Sequence, residues 1–173
     1  MFGKLDQTKT INERYIIKMV VSNEIGSKRI LKIFNSAIGE GLPKVHRKSM
    51  FIEKYNGKMV SAKRGTVEVV FKVTEDMANP YGLLHGGVLC TLMDDVIGLA
   101  AVTLGSEKFS VSLNLQVSYL DKVSIGEKIT VKAKIVREGR NILNAITKIY
   151  VSSGKQVANG KSDLFLTEIS RKF

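Results

Sequence analysis

The chain has 173 residues, 44% of them hydrophobic and 25% charged, which is the balance of an ordinary globular protein with one sizeable core. No apolar run is long enough to cross a membrane, and the first ten residues hold no apolar signal-peptide core, so we expect a cytoplasmic protein. A single cysteine excludes an intrachain disulfide and a cysteine-cluster metal site. The two histidines lie far apart in sequence, which argues against a histidine-rich metal site.

The net charge of +11 is concentrated in the N-terminal third. Residues 1–64 hold 14 Lys/Arg and 5 Asp/Glu, whereas residues 65–173 hold 13 and 11. Such a field could attract nucleic acid, an anionic membrane or a small phosphate-bearing ligand, or it could be a solvated face. Because the chain has no zinc-finger, basic-zipper or RNP-like pattern, we expect no nucleic-acid partner.

The first forty residues predict two helices, at 13–23 and 27–38, interrupted near Gly26. Ser27 suits an N-cap, and residues 39–43 suit a helix end. We expect residues 1–48 to form a basic helical extension that covers the sheet or an oligomer interface. Residues 49–173 would then form the main domain.

Strands are predicted on both sides of a central helix. Residues 51–62 and 66–73 read as a hairpin, and later strands are expected near 109–121, 126–138, 142–152 and 155–168. In the strand at 109–121, polar residues alternate with apolar ones through Ser110, Ser112, Asn114, Gln116 and Ser118. One face of that strand is therefore polar, which is unusual unless it meets solvent, a partner or a substrate.

The segment between these strands, 79–101, reads NPYGLLHGGVLCTLMDDVIGLAA. Its first residues indicate a turn, and apolar residues at helical spacing from Val88 onward predict a helix buried on most sides, with Cys90 as a small core residue. One stripe of this helix is small or polar, and it comprises Gly87, Thr91, Asp94, Gly98 and Ala101.

Chemistry can be argued from the two ends of that stripe. The backbone N–H groups at the helix start, after His85, can polarise a carbonyl oxygen, and Asp94 can act as a general base or a nucleophile. Gly87 and Asp94 are seven residues apart, roughly 10 Å along a helix. Two such helices running antiparallel across a two-fold axis would bring Asp94 of one to Gly87 of the other. The alternatives are that His85 only caps the helix and that Asp94 is a hydrogen-bonding group without catalytic function.

The run HGGVLCTLMD, with Asp94 nine residues after His85, resembles the signature of hotdog-fold thioesterases of the PaaI-like and acyl-CoA thioesterase 13 type. The resemblance extends over about residues 50–167. It implies an α+β hotdog fold, in which a curved antiparallel sheet wraps around one long central helix. It also implies homodimers with shared active sites that pair into tetramers, and hydrolysis of an acyl-CoA without metal or organic cofactor.

The same resemblance assigns roles to individual residues. Asp94 would activate water with the help of Ser112, the Gly87 N–H would hold the thioester oxygen, His85 would fix the loop, and Asn79 would orient the thioester. A second set would bind the substrate: Gly86, Tyr119, Arg137, Gly139, Arg140 and Asn141. Each role has a purely structural alternative. Asn79 could form a turn, the Ser112 hydroxyl could be solvated, Tyr119 could be a core aromatic, and residues 137–141 could be an ordinary basic hairpin turn.

Two other functions stay open on the same fold. One is a non-catalytic acyl-CoA-binding regulator, which the basic N-terminal segment would suit. The other is a hydratase or dehydratase, although those enzymes place the histidine and the carboxylate differently.

Overall fold

The computed structural model describes residues 11–42 and 54–170, with side chains from residue 22 to 169 of these ranges. The helices whose bounds lie within these ranges are α1 (Ile11–Ser36) and α2 (Gly86–Val102), and a 3₁₀ turn lies at Glu75–Met77. The strands are β1 (Lys58–Lys63), β2 (Thr66–Lys72), β3 (Lys108–Ser112), β4 (Gln116–Tyr119), β5 (Lys128–Glu138), β6 (Ile142–Val151) and β7 (Gln156–Ser170). The basic stretch 44–48, His46, the start of the first predicted strand and the boundary at 48/49 lie outside the described residues.

The strands form one antiparallel sheet in the order β1-β2-β5-β6-β7-β3, with β4 also paired to β7. The sheet curls around α2, which contacts β2, β5, β6 and β3. This confirms the hotdog architecture, with α1 as the additional helix. No helix within 11–42 and 54–170 is long and apolar enough to cross a membrane.

The core is built around α2, as its apolar residues predict. Leu92, Met93, Val96, Ile97 and Leu99 have no exposed surface and pack against the strands. Each such side chain contributes about 1.5–3 kcal/mol through burial. The predicted stripe is the most accessible part of α2 except for Ala101, which belongs to the core, and Val88, Cys90, Asp95 and Val102 outside the stripe are half-buried. Gly87 and Asp94 are exposed, whereas Thr91 and Gly98 are half-buried.

The predicted interruption of the N-terminal helix at Gly26 is wrong, because α1 runs through it unbroken. A Cβ added at Gly26 would lie 2.3 Å from the Gly105 carbonyl oxygen, just beyond the end of α2. Beside this contact, Ser27 Oγ donates a hydrogen bond of 2.6 Å to the Thr103 carbonyl, and Ile30 and Phe34 are buried in the main core. The glycine therefore permits a close approach of two backbones, and its low helix propensity is overridden by tertiary packing.

Most of the predicted strands are confirmed, including the hairpin turn before Thr66 and the three strands after residue 126. The prediction of one continuous strand at 109–121 is wrong. It is divided into β3 and β4, which pair with β7 on either side of an irregular segment at 113–115.

We predict that Gly26→Ala lowers the free energy of unfolding by about 1–3 kcal/mol, because the new methyl group must push the Gly105 backbone away. The measurement is urea unfolding of the wild type and the variant. Asn35→Ala, at an exposed position of the same helix, is the control and should change stability by less than about 0.5 kcal/mol. Equal effects of the two substitutions would contradict the close contact.

Candidate active site

The start of α2 is capped by His85. Its backbone is extended (φ −65°, ψ 132°), and its Nδ1 accepts a 2.9 Å hydrogen bond from the Gly87 N–H. The His85 N–H in turn donates to the Met77 carbonyl, which fixes the loop before the helix. His85 thus acts as a helix cap, and the N–H group predicted to hold a substrate oxygen already has an acceptor.

Asn79 organises the same loop. Its Oδ1 accepts hydrogen bonds from the Tyr81 N–H at 2.9 Å and the Leu83 N–H at 3.2 Å, and Gly82 between them has a positive φ of 73°. The turn-forming role considered for Asn79 is therefore present. Its role in orienting a substrate stays a prediction.

Asp94 and Ser112 are brought together, although 18 residues separate them in sequence. Ser112 Oγ, at the end of β3, donates a 2.6 Å hydrogen bond to Asp94 Oδ1 on α2. Both residues line an open groove of about 400 Å³, together with Cys90, Thr91 and residues 113–115. A carboxylate with one oxygen fixed by a hydroxyl and room for a ligand beside it is suited to proton transfer or nucleophilic attack.

Tyr119 lies over the helix start. Its hydroxyl donates to the Gly86 carbonyl at 3.3 Å and is 3.1 Å from Cys90 Sγ. A Cβ at Gly86 would lie 3.2 Å from that hydroxyl, so the glycine leaves room for the ring. The contact with Cys90, together with desolvation, raises the pKa of Tyr119. Tyr119 is 56% exposed and is not a core aromatic, and the expectation that Cys90 is a core residue is also wrong: its thiol is half-buried beside the groove.

The basic residues predicted to bind substrate form a separate group at the β5–β6 turn. Arg137 Nη1 donates to Asn144 Oδ1 at 3.4 Å, the Gly139 N–H donates to the Ile142 carbonyl at 2.9 Å, and Arg140 is exposed. The Asn141 carbonyl accepts from the backbone of β7. These contacts build a tight turn that presents two guanidinium groups to solvent, an arrangement that suits phosphate.

Three polar residues beside the groove were not predicted from the sequence. Asp163 on β7 accepts hydrogen bonds from Asn114 Nδ2 at 2.9 Å and from Asn144 Nδ2 at 2.6 Å. These two bonds lower the pKa of the Asp163 carboxyl. Regular alternation over residues 110–118 predicts an ordinary strand, and so it conceals the irregular segment that Asn114 occupies.

The chain is similar to known proteins over most of the described domain. Residues 81–158 match the family described as the thioesterase superfamily. Acyl-coenzyme A thioesterase 13 of Mus musculus is 30% identical over 104 residues, covering 60% of this chain and 74% of that protein. The Homo sapiens protein of the same name is 29% identical over 121 residues, covering 68% and 86%. A solved Streptococcus pneumoniae hypothetical thioesterase with coenzyme A superposes with a TM-score of 0.63 at 29% identity, covering 68% and 92%.

We predict that His85→Ala lowers the free energy of unfolding by about 0.5–2 kcal/mol, because the Gly87 N–H loses its capping acceptor. His85→Asn should retain most of the stability, since an asparagine side chain caps a helix equally well. Thermal unfolding of the three proteins checks this. Because His85 is exposed, equal destabilisation by alanine and asparagine would show that the cap contributes nothing.

Proposed function

This chain belongs to the thioesterase superfamily, and from that premise we propose that it hydrolyses an acyl-CoA to a free acid and coenzyme A. The observation that supports this function best is the 2.6 Å hydrogen bond between Ser112 and Asp94 in a groove along α2. The relatives named acyl-coenzyme A thioesterase 13 support coenzyme A as the carrier of the acyl group. The reaction needs only water as co-reactant, and we expect neither metal nor organic cofactor.

Asp94 is the proposed catalytic carboxylate. With Oδ1 held by Ser112, Oδ2 is the oxygen that takes a proton from water as the water oxygen bonds to the thioester carbon. Collapse of the tetrahedral intermediate breaks the carbon–sulfur bond, Asp94 gives up the proton it accepted, and the leaving thiolate takes up a proton, so that the carboxylate is restored. Direct attack by Asp94 would form a mixed anhydride that water then hydrolyses, with the same products.

The Gly87 N–H is the proposed donor to the thioester oxygen. It lies at the positive end of the α2 dipole, where charge developing on the oxygen is stabilised. Since His85 Nδ1 accepts from this group, the substrate oxygen takes the place of the imidazole, and His85 turns aside. Asn79 keeps the preceding loop in the conformation that presents the N–H.

Two protomers are needed for one site. Gly87 and Asp94 lie roughly 10 Å apart along the same helix, too far for one side chain to reach a carbonyl bound at the helix start. In a homodimer with antiparallel α2 helices, Asp94 and Ser112 of one protomer act on a thioester held by Gly87 of its partner. By resemblance to the family, we extend the proposal to a dimer of dimers.

Exposed features of the protomer support this assembly. A Cβ added at Gly98 meets no atom within 4 Å, so this face of α2 leaves space for a second helix. The edge strand β3 and the residue after it expose Phe109, Val111 and Leu113 by 48%, 38% and 58%. An apolar sheet edge of this kind is an aggregation hazard unless something covers it, and the partner's edge would do so.

The coenzyme A portion is assigned to the basic turn and to Tyr119. Arg137 and Arg140 are exposed cations that suit the nucleotide phosphates, and Gly139 and Asn141 shape the turn. Gly86 and Tyr119 border the helix start, where the pantetheine arm would approach the thioester.

We predict that Asp94→Asn lowers kcat/KM by at least about a hundredfold, because the amide can still accept from Ser112 but cannot take a proton from water. Thiol release from a panel of short, long and aryl acyl-CoAs is the measurement. Asp76→Asn is the matched control, since Asp76 is an exposed aspartate that also accepts from a hydroxyl, that of Thr74. If no acyl-CoA releases thiol while acyl-CoA still binds tightly, the protein is a binding regulator and the proposed reaction is wrong.

We predict that Gly98→Leu dissociates the dimer and lowers kcat/KM by about a hundredfold, since the partner's Gly87 no longer meets Asp94. The protomer should stay folded, because its own atoms leave the position open. Sedimentation velocity and circular dichroism, with Ser153→Leu in the exposed β6–β7 turn as the control, check this. A wild-type monomer with full activity would contradict the shared site.

A further inference from the structure

The polar contacts between β7 and the segment 113–115 enclose a β-bulge. Ser112 is paired with Leu164, and Gln116 is paired with Lys161, so three residues of one strand lie opposite two of the other. One extra residue is therefore inserted between β3 and β4. Such bulges locally disrupt the ladder and redirect the side chains that follow.

The bulge decides which side chains reach α2. In a regular strand, Ser112 and Tyr119 would point to opposite faces, because they are an odd number of residues apart. Here Ser112 Oγ contacts Asp94, and the Tyr119 hydroxyl contacts Gly86, both on α2. The insertion reverses the alternation between them, and so it delivers both groups to the same helix.

Asp163 holds the bulge in place through backbone and side chain together. Its carbonyl accepts from the Leu113 N–H at 2.8 Å, and its own N–H donates to Asn114 Oδ1 at 3.1 Å. Its carboxylate accepts from Asn114 Nδ2 at 2.9 Å, and the neighbouring Ser162 Oγ donates to the Asn114 carbonyl at 2.6 Å. These bonds replace the ladder that the extra residue disrupts.

The carboxylate is itself fixed from the other side. Asn144 Nδ2 donates to Asp163 Oδ1 at 2.6 Å, and Asn144 Oδ1 accepts from Arg137. Strand pairing sets Asn144 opposite Asp163 and Arg137 opposite Asn144. The three side chains therefore lie side by side across β5, β6 and β7. A half-buried aspartate with both oxygens occupied by amide donors has little freedom to move.

We propose that Asp163 is a positioning residue for the proposed hydrolysis, which acts by clamping Asn114 and the bulge so that Ser112 meets Asp94 while Tyr119 meets the helix start. This role rests on the proposed function. It differs from a general stabilising role because it concerns the placement of two groups at the groove.

The test compares Asp163→Ala, Asp163→Asn and Asn114→Ala in the full-length protein. Asp163→Ala removes the side-chain acceptor for Asn114, so kcat should fall between about tenfold and a hundredfold because Ser112 is misplaced, and KM should rise by about threefold or more because Tyr119 is misplaced. Asp163→Asn should retain kcat within about threefold, because its amide oxygen still accepts from Asn114 once Asn144 turns its own amide. If kcat is retained in this uncharged variant, the hydrogen bond to Asn114, and not the negative charge of Asp163, is what turnover requires.

A double-mutant cycle tests whether the two residues act as a unit. Asp163→Ala with Asn114→Ala should be no worse than either single substitution, since each alone already opens the clamp. Glu68→Ala is the control, as it removes a carboxylate that pairs with Lys132 on a distant part of the sheet. Its kcat should match the wild type.

Hydrogen–deuterium exchange supplies a readout that does not depend on turnover. Amides in residues 112–119 should exchange faster in Asp163→Ala and in Asn114→Ala, whereas those of α2 should keep their protection. Unchanged kcat in both variants, or additive losses in the cycle, would overturn the positioning role. If the wild type releases no thiol, the proposed reaction fails, and unchanged exchange at 112–119 would then separately refute the clamp.

Discussion

Burial of α2 is the constraint on which the rest of this structure depends. Its apolar residues pack against the curled sheet, and within this helix only Gly87 and Asp94 are exposed. The exposed part of its small and polar stripe is where a carboxylate can stay hydrated on this helix, and Asp94 occupies it. The small residues around Asp94 leave room for another molecule to approach the helix and meet this carboxylate.

Much of this fold could be predicted from the sequence because its elements have strong periodicity. Helical spacing after Val88 and alternation in β2 were each sufficient to identify the element. The errors have one cause in common. Gly26 and residues 113–115 depend on partners that are distant in sequence, namely Gly105 and Asp163, and no local pattern reports such a partner.

The candidate site could be predicted only in part, for a related reason. The proximity of Asp94 and Ser112 could be expected only from the family resemblance. The contacts of His85 and Asn79 are those of a helix cap and a turn, which the sequence allows as alternatives to a catalytic role. The contacts of Asn114 with Asp163 were missed because they depend on a one-residue change of register. A single inserted residue reverses every later side chain, and the composition of the strand is the same in either case.

The hydrogen bond from the Gly87 N–H to His85 has an energetic consequence for the proposed reaction. The His85 imidazole already accepts from the Gly87 N–H, so a thioester oxygen that binds there replaces one hydrogen bond by another. The substrate therefore gains little binding free energy from this contact. A thioester carbonyl is a weak acceptor, whereas the oxyanion of the tetrahedral intermediate is a much stronger one than a neutral ring nitrogen. The exchange therefore favours the transition state over the substrate, which is the kind of discrimination that raises turnover. In the proposed cycle, departure of the product acid would let the imidazole accept from the Gly87 N–H again, so no separate gate is required.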